Sequence, residues 1–406
     1  MRTFCGAVVI VFSSVVGAHA QATQNDPPDR PGTRVDWNPR PSLRVGDVAR
    51  VDFRLKLQLD FRSFSPEQPN RDATFRFHRR RAAIEGTLFR RVDFQVEREL
   101  REDGPWRDVY LDARLTRAVQ VQGGKFKIPF GLEETTGTMD LDFIYRTVGT
   151  NALTPARDQG VMLHGRLGRV DYEAGGFRHD GEDAISEEGF LFPGERSAQA
   201  GAAAAGRVVV APWGRGGGSR PRFGVAMTHS SVPEGLNGIT GRSVFGTTFF
   251  SQVYVRGRRL RVGAQAEWNP GPFSFKSEYL RVEEQRLGQS LQDGDLSTLI
   301  GQSWYASATS LLVGRRNRQG VEVAGRIEHV WFGSASQEGP AFSNPRADHL
   351  LVNGEYVWTG GATWYMTRWT KVQVNAIREV FSDPRRTPFL GHTSFLSAVI
   401  RLQMVL

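Results

Sequence analysis

The chain has 406 residues, with 52 lysines and arginines against 43 aspartates and glutamates and a formal net charge of +9. Its mean hydropathy is −0.38 and no run of 18 apolar residues follows residue 20, which excludes a helical membrane protein. A transmembrane β-barrel is not excluded, because its strands alternate apolar with polar side chains. The single cysteine, Cys5, lies near the N-terminus, which excludes a disulfide scaffold or a zinc-thiolate site in the rest of the chain.

The first twenty residues have the features of a cleavable signal peptide. Arg2 provides a short positive region, Thr3 to Val16 is almost entirely apolar or small, and Ala18-His19-Ala20 is a small-x-small cleavage site. The apolar run is too short to span a bilayer as a helix. We therefore predict export with cleavage after Ala20, a periplasmic N-terminal segment at 21–47 that is rich in proline and arginine, and one barrel domain at 48–406.

Apolar and polar residues alternate along much of this large domain, with a period of two residues. From Val51 to Phe61 the odd-numbered positions are apolar, whereas the even-numbered positions carry charged or amide side chains. Such a segment is long enough for a β-strand that crosses a bilayer at a tilt. The pattern predicts an all-β fold, a transmembrane antiparallel β-barrel of about sixteen strands. The predicted strands are 49–62, 75–89, 91–101, 106–116, 118–128, 159–167, 169–178, 201–212, 220–230, 258–269, 272–284, 301–313, 320–332, 351–366, 371–381 and 394–406.

The predicted connections alternate in length. Those after the even-numbered strands are short, such as Gly168 and 269–271, whereas those after the odd-numbered strands are mostly long. The long ones are 129–158, 179–200, 231–257, 285–300 and 333–350. Short periplasmic turns and long external loops are typical of outer-membrane barrels, so we predict the outer membrane of a Gram-negative type of cell as the location.

Arginine provides nearly all of the positive charge. The five lysines are Lys56, Lys125, Lys127, Lys276 and Lys371. The planar fork of donors on arginine suits oxyanions better than the ammonium group of lysine does. A genome that favours arginine codons would give the same composition, so the arginine content alone does not identify a solute.

Several short stretches carry a resemblance to a known family through their order and spacing. The most specific is Gly124 to Glu133 (GKFKIPFGLE), followed by Asp140 to Arg146 (DLDFIYR) and Arg157 to Val161 (RDQGV). With them the chain resembles the phosphate-selective porin O and P family over nearly the whole length that follows the signal peptide. The resemblance implies a trimeric sixteen-stranded barrel that is narrowed by inward-folded loops, with constriction arginines that bind phosphate.

The same resemblance indicates which residues would face the anion. Arg146 matches an arginine of the family's constriction loop, and Arg79 matches the second arginine of a Phe-Arg-Arg motif that opens the second strand. Lys56 matches a basic residue that the first strand presents to the lumen.

The chain departs from the family pattern at two places. His78, mostly neutral at pH 7, stands where the first arginine of the Phe-Arg-Arg motif is expected. Arg80 or Arg81 would replace that charge if the strand contains a bulge. Leu406 ends the chain, where such barrels typically end in phenylalanine.

We predict that the segment 129–158 folds into the lumen and sets the narrowest part of the pore. Fixed cations in a low-dielectric wall concentrate an anion and replace part of its hydration. The predicted anion site and its approach consist of Arg146, Arg79, Arg80, Arg81, Lys56, Lys125 and Lys127. The alternative for each cation is a structural ion pair across the wall, for which Asp52, Asp93, Glu97, Glu99 and Asp112 are available.

Enzymatic functions have little support in the sequence. It contains no His-Glu-x-x-His, no Gly-x-Ser-x-Gly and no phosphate-binding loop with lysine. We therefore expect no catalytic residues, no cofactor, no metal and no nucleic acid. The expected partners are inorganic phosphate or other small anions, outer-membrane lipid and lipopolysaccharide, and further copies of the chain in a homotrimer. A general diffusion porin, a non-conducting adhesin or structural barrel, and an outer-membrane hydrolase are the alternatives.

Overall fold

The structure, a computed structural model, describes most of the chain from residue 32 onward. The described residues are 32–37, 40–65, 75–102, 104–181, 201–213, 220–236, 238–290, 293–334, 352–383, 387 and 391–406. The predicted signal peptide and residues 21–31 of the N-terminal segment lie outside the described residues.

Sixteen strands form a closed antiparallel barrel, in which each strand pairs with the barrel strands before and after it. The barrel closes because Val405 in the last strand lies opposite Lys56 in the first, and Leu396 lies opposite Ser65. Closure leaves no free sheet edge that would expose backbone groups to lipid. The predicted architecture is therefore confirmed. The strands are β3 (Ala49–Ser65), β4 (Phe75–Leu88), β5 (Val92–Glu99), β6 (Trp106–Arg114), β7 (Gln120–Lys127), β8 (Arg157–Leu167), β9 (Val170–Phe177), β10 (Ala203–Val210), β11 (Arg222–Gly235), β14 (Val255–Trp268), β15 (Phe273–Arg286), β16 (Leu296–Arg315), β17 (Gln319–Ser334), β18 (Asn353–Tyr365), β19 (Thr370–Phe381) and β20 (Ser394–Val405).

Some strands extend further toward the long connections than predicted. β16 begins at Leu296 instead of residue 301, and β11 ends at Gly235 instead of residue 230. Pairing between strands uses backbone groups, so the sheet continues past the region in which apolar and polar side chains alternate.

A hairpin from the N-terminal segment adds to the barrel wall. It consists of β1 (Thr33–Asp36) and β2 (Ser42–Val45). β2 pairs with the first residues of β3, with Ser42 opposite Asp52 and Val45 opposite Ala49. β3 pairs with β20 along the same edge from Lys56 onward. β2 therefore extends the sheet at the beginning of that edge. No strand was predicted in this segment from the sequence.

The wall is apolar outside and polar inside. In β3, Phe53 and Phe61 are 46% and 51% exposed, whereas Gln58 and Asp60 are fully buried. In β20, Ile400 is exposed and its neighbour Arg401 is buried. Soluble proteins bury their large apolar side chains, so this inversion is what a lipid-facing wall around a polar interior requires.

The described helices are short and lie in one connection, between β7 and β8. They are α1 (Leu132–Thr135), α2 (Val148–Leu153) and a single 3-10 turn, Thr138–Asp140. The side chain of Thr147 caps α2 by accepting a hydrogen bond from the N–H of Thr150. Within the described part of the chain, no helix has the length and apolar character needed to cross a membrane.

Two connections pack against the inner face of the wall. The first inner loop, residues 128–156, contains α1 and α2, and the second inner loop, residues 238–254, contains the hairpin β12 (Gly241–Arg242) and β13 (Thr248–Phe250). Their apolar side chains form one buried cluster with side chains of the wall. The cluster includes Phe130, Ile144, Tyr145, Val148, Leu153, Ile239, Val244, Phe245, Phe249 and Phe250 from the loops, and Leu280, Val330, Phe332, Val357, Phe381 and Phe395 from the wall.

The second inner loop corrects the sequence analysis, which assigned 231–257 to a long external loop. Its central residues are largely phenylalanine and aliphatic side chains, and these are removed from water when they pack against Phe332 and Phe381. A hydrophobic stretch inside a long connection was the sequence signal for this packing.

Gly149 in α2 permits the first inner loop to lie directly against β16. A Cβ atom at this position would lie 1.7 Å from the Oγ atom of Ser303. We expect Gly149→Ala to lower the free energy of unfolding by about 1–3 kcal/mol, because an overpacked site forces neighbouring atoms to move. The measurement is denaturant unfolding of the barrel in detergent. Gly176→Ala in β9 is the control, since its added methyl group would meet nothing within 4 Å; equal effects of the two changes would contradict the prediction.

Candidate functional site

Arg146 organises the turn between the two helices of the first inner loop. Its guanidinium donates to the main-chain carbonyls of Glu133 (3.1 Å), Thr136 (3.0 Å) and Glu134 (3.4 Å). It also forms an ion pair with the carboxylate of Glu134 at 3.3 Å. Only 7% of Arg146 is exposed. The residue is therefore both a buried cation and the clamp that fixes the loop conformation around it.

Lys127, at the end of β7, joins Arg146 at the same carboxylate. Its ammonium group lies 3.5 Å from Oε1 of Glu134 and donates to the carbonyls of Thr136 (3.1 Å) and Glu134. Burial disfavours the charged form of Glu134, but the charges of Arg146 and Lys127 outweigh this effect and lower its pKa. Glu134 is therefore ionised at neutral pH, and it partly neutralises the two cations.

The adjacent wall contributes a second group of cations. Arg81 in β4 is bound to Glu99 (2.6 Å) and Glu97 (3.4 Å), and Lys56 in β3 lies 2.6 Å from Glu97. Arg79 donates to the side-chain oxygen of Gln58 at 2.9 Å. These contacts agree with the structural ion pairs that the sequence analysis gave as the alternative, with Glu97 and Glu99 as the acceptors.

The two groups of cations lie close enough to interact. Gln58 accepts from Arg79 at 2.9 Å, and its amide nitrogen lies 3.7 Å from the sulfur of Met139 in the first inner loop. The network as a whole joins the cations Arg54, Lys56, Arg79, Arg81, Arg107, Lys127, Arg146 and Arg157 to the carboxylates Glu85, Glu97, Glu99, Asp108 and Glu134.

A β-bulge in β4 decides which arginines belong to the site. Gln58 of β3 lies opposite Arg79, and the next residue, Leu59, lies opposite Phe77, so His78 is the extra residue of the bulge. Arg79 and Arg81 are buried beyond it, whereas Arg80 is exposed on the outer face, with its guanidinium 5.5 Å from the ring of Phe77. Side chains alternate along a strand, so Arg80 cannot line the same surface as its neighbours.

Lys125 lies two residues before Lys127 in β7. It is partly exposed in β7, in register with Val109 of β6 and Gln159 of β8. Of the seven predicted residues, the contacts described above bring together Lys56, Arg79, Arg81, Lys127 and Arg146, whereas Arg80 lies on the outer face.

A buried cluster that was not predicted from the sequence lies where the first and last strands meet. Arg401 in β20 binds Asp60 in β3 through two hydrogen bonds of 2.6 and 2.7 Å. The hydroxyl of Tyr145, in the first inner loop, donates to Asp60 at 3.0 Å, and Arg401 also donates to the carbonyl of Ile144 at 2.6 Å. Nδ1 of His78 lies 3.6 Å from Asp60. The cluster therefore holds the loop at the seam of the barrel.

The pairing of Arg401 with Asp60 follows from the barrel's closure. The two residues are direct neighbours in the register between β20 and β3. The sequence signal was an arginine and an aspartate on the polar faces of the first and last predicted strands. No group of three or more histidine, cysteine, aspartate or glutamate side chains suited to a metal ion occurs among the residues that the structure describes.

Comparison with known proteins identifies the family. A family model, phosphate-selective porin O and P, matches residues 51–405. No curated protein matches the chain by sequence.

Solved structures with the same fold are distant in sequence. The loop L8 deletion mutant of OmpT, an outer membrane protein of Vibrio cholerae, is 13% identical, with a TM-score of 0.59 over 88% of this chain and 100% of that one. OprB of Pseudomonas putida is 12% identical (TM-score 0.55, 88% and 94%), and an anion-selective porin from Comamonas acidovorans is 11% identical (TM-score 0.54, 88% and 100%). These likenesses show the porin fold, and the match of the family model to nearly the whole barrel shows the family. The chain is an outer-membrane porin and belongs to the phosphate-selective porin O and P family.

Proposed function

We propose that the chain forms a water-filled channel through which small anions, phosphate or polyphosphate in particular, diffuse across the outer membrane. The observation that carries the proposal is the convergence of five basic residues from β3, β4, β7 and the first inner loop. The first inner loop narrows the channel, and the anion passes between Arg146 on the loop and Arg79 and Arg81 on the wall.

The electrostatics of such a passage favour anions. Cations fixed in a wall of low dielectric constant raise the local anion concentration. Arginine forks replace part of the hydration shell of an oxyanion with charge-assisted hydrogen bonds. Conduction also requires release, and the carboxylates Glu97, Glu99 and Glu134 moderate the field so that the anion does not remain bound.

We also propose how the chain is exported and assembled. The chain reaches the outer membrane with a signal peptide at 1–20 that is removed after Ala20. In the membrane it forms a homotrimer, surrounded by lipid and lipopolysaccharide. The apolar outer wall supports a position in lipid, and the trimer form of OmpT from Vibrio cholerae, a protein with the same fold, supports the trimer.

A general diffusion porin is the second candidate. The observation that favours it is the pairing of Arg81 and Lys56 with Glu97 and Glu99, because each carboxylate cancels part of the positive charge. Planar-bilayer conductance of the purified protein in chloride, titrated with phosphate, separates the candidates. Block of the chloride current at low phosphate concentration supports the anion site, whereas its absence at high concentration indicates a general pore. A protein that forms no channels would be a non-conducting barrel.

Arg146→Ala is expected to lower the chloride-over-potassium permeability ratio, because the change removes a cation and also releases three loop carbonyls from their donor. The ratio is measured from the reversal potential in a salt gradient. Arg146→Lys retains the charge but not the fork of donors, so we expect an intermediate ratio. An unchanged ratio in Arg146→Ala would remove this residue from the constriction.

A further inference from the structure

Glutamates of the barrel wall hold the first inner loop by its main chain. Glu278 in β15 accepts hydrogen bonds from the N–H groups of Leu132 (2.5 Å) and Glu133 (3.4 Å), in the first turn of α1. Glu328 in β17 accepts from the N–H of Val148 (2.9 Å), the first residue of α2. A carboxyl group of the wall thus accepts hydrogen bonds from the first turn of each helix.

The second inner loop is held in the same way. Glu284 in β15 accepts from the N–H of Ile239 at 3.0 Å, and Glu379 in β19 accepts from the N–H of Val244 at 2.7 Å. Glu278, Glu284, Glu328 and Glu379 are each 2% exposed or less. Four buried carboxylates on three strands therefore bind main-chain donors of the two loops.

The chemistry explains why carboxylates occupy these positions. An irregular segment that packs inside a barrel has main-chain N–H groups without a partner in regular structure, and each needs an acceptor. A glutamate carboxyl group has two oxygens that can accept hydrogen bonds from main-chain N–H groups. The four glutamates are therefore suited to fixing the loops against the wall.

We propose that Glu278, Glu284, Glu328 and Glu379 are positioning residues that hold both inner loops in place and thereby set the width of the channel, without contacting the anion. The effect on conductance rests on the proposed channel function, whereas the effect on loop position does not. Removing these acceptors frees the loops from the wall while the cations of the site are retained. The channel becomes wider and less selective as a result.

The position of the second inner loop can be measured without current. The chain's only cysteine is Cys5, so Ser243→Cys in a Cys5→Ser background places one reporter thiol in the loop, at a position that is 5% exposed. We expect the folded barrel to react slowly with a maleimide. Glu379→Leu, which leaves the N–H of Val244 without its acceptor, raises the labelling rate about tenfold or more. Glu379→Gln retains a side-chain carbonyl oxygen and keeps the rate near that of the parent.

The first inner loop is tested by conductance. Glu328→Leu is expected to raise the single-channel conductance and weaken phosphate block, although every cation of the site is still present. The matched control is Glu322→Leu. Glu322 lies in the same strand with 1% exposure, but its partner is Arg316 in the turn after β16. The heat-modifiable mobility of the barrel in detergent gels confirms folding of each variant.

The two measurements separate the inference from the proposed function. An unchanged labelling rate in Glu379→Leu, or equal rates in the leucine and glutamine variants, would overturn the inference. Equal conductance of Glu328→Leu and the parent protein would overturn it as well. If the parent protein conducts no anions, the proposed function fails, and the labelling rates still decide whether the glutamates position the loops.

Discussion

Arg79→Ala is expected to lower the chloride-over-potassium permeability ratio several-fold and to weaken phosphate block by about tenfold or more. Arg79 is 6% exposed and donates to the side-chain oxygen of Gln58 at 2.9 Å. A hydrogen bond to a charged group contributes roughly 1.5–3 kcal/mol, which corresponds to the expected change in affinity. The measurements are reversal potentials in a salt gradient and the phosphate concentration that halves the chloride current.

The control for this prediction is the next residue along the chain. Arg80→Ala removes the same charge from the outer face of the same strand, beside Phe77. We expect both the permeability ratio and the phosphate block to stay at the level of the parent protein. Equal losses in the two variants would mean that selectivity follows the net charge of the protein, and would contradict a site at Arg79.

Asp60→Ala is expected to lower the free energy of unfolding by about 3–5 kcal/mol, because it leaves the buried Arg401 without this carboxylate. It also removes the acceptor of the Tyr145 hydroxyl, so the first inner loop loses a contact at the seam of the barrel. Denaturant unfolding in detergent measures the stability, and the single-channel conductance reports the loosened loop as a larger and noisier current.

Two further variants separate the buried pair from ion pairing in general. Asp60→Leu combined with Arg401→Met should recover much of the lost stability, since a well-packed apolar pair often equals a buried ion pair. Asp93→Ala breaks the exposed pair with Arg114, in which the side chains are 37% and 42% exposed, and should cost about 1 kcal/mol or less. If Asp93→Ala is as destabilising as Asp60→Ala, the seam cluster has no special role.

The architecture was predictable because its signal is local. In a strand, alternate side chains point to opposite faces, so the apolar and polar positions of Val51 to Phe61 already indicate which residues face lipid. The alternation of short and long connections needed only the strand positions. For the same reason, the polar face of β3 pointed to Lys56 as a residue of the interior, where the structure places it. Arg79 was predicted from the family resemblance, and Arg81 only as a substitute in a bulged strand.

The arrangement of the site could not be predicted from local sequence patterns, because it depends on how distant strands pair. The bulge at His78 depends on how β4 pairs with β3, and this register alone turns Arg80 outward while Arg79 and Arg81 stay inside. The ion pair of Asp60 and Arg401 joins the two ends of the chain and exists because the barrel closes.

The sequence by itself thus determined the barrel and its lipid-facing surface, because side-chain alternation acts between neighbours in one strand. The tertiary structure decided which connections fold inward and what holds them there. Ile239 and Val244 reach glutamates on strands far away in the chain, and only the packed barrel brings these groups within hydrogen-bonding distance.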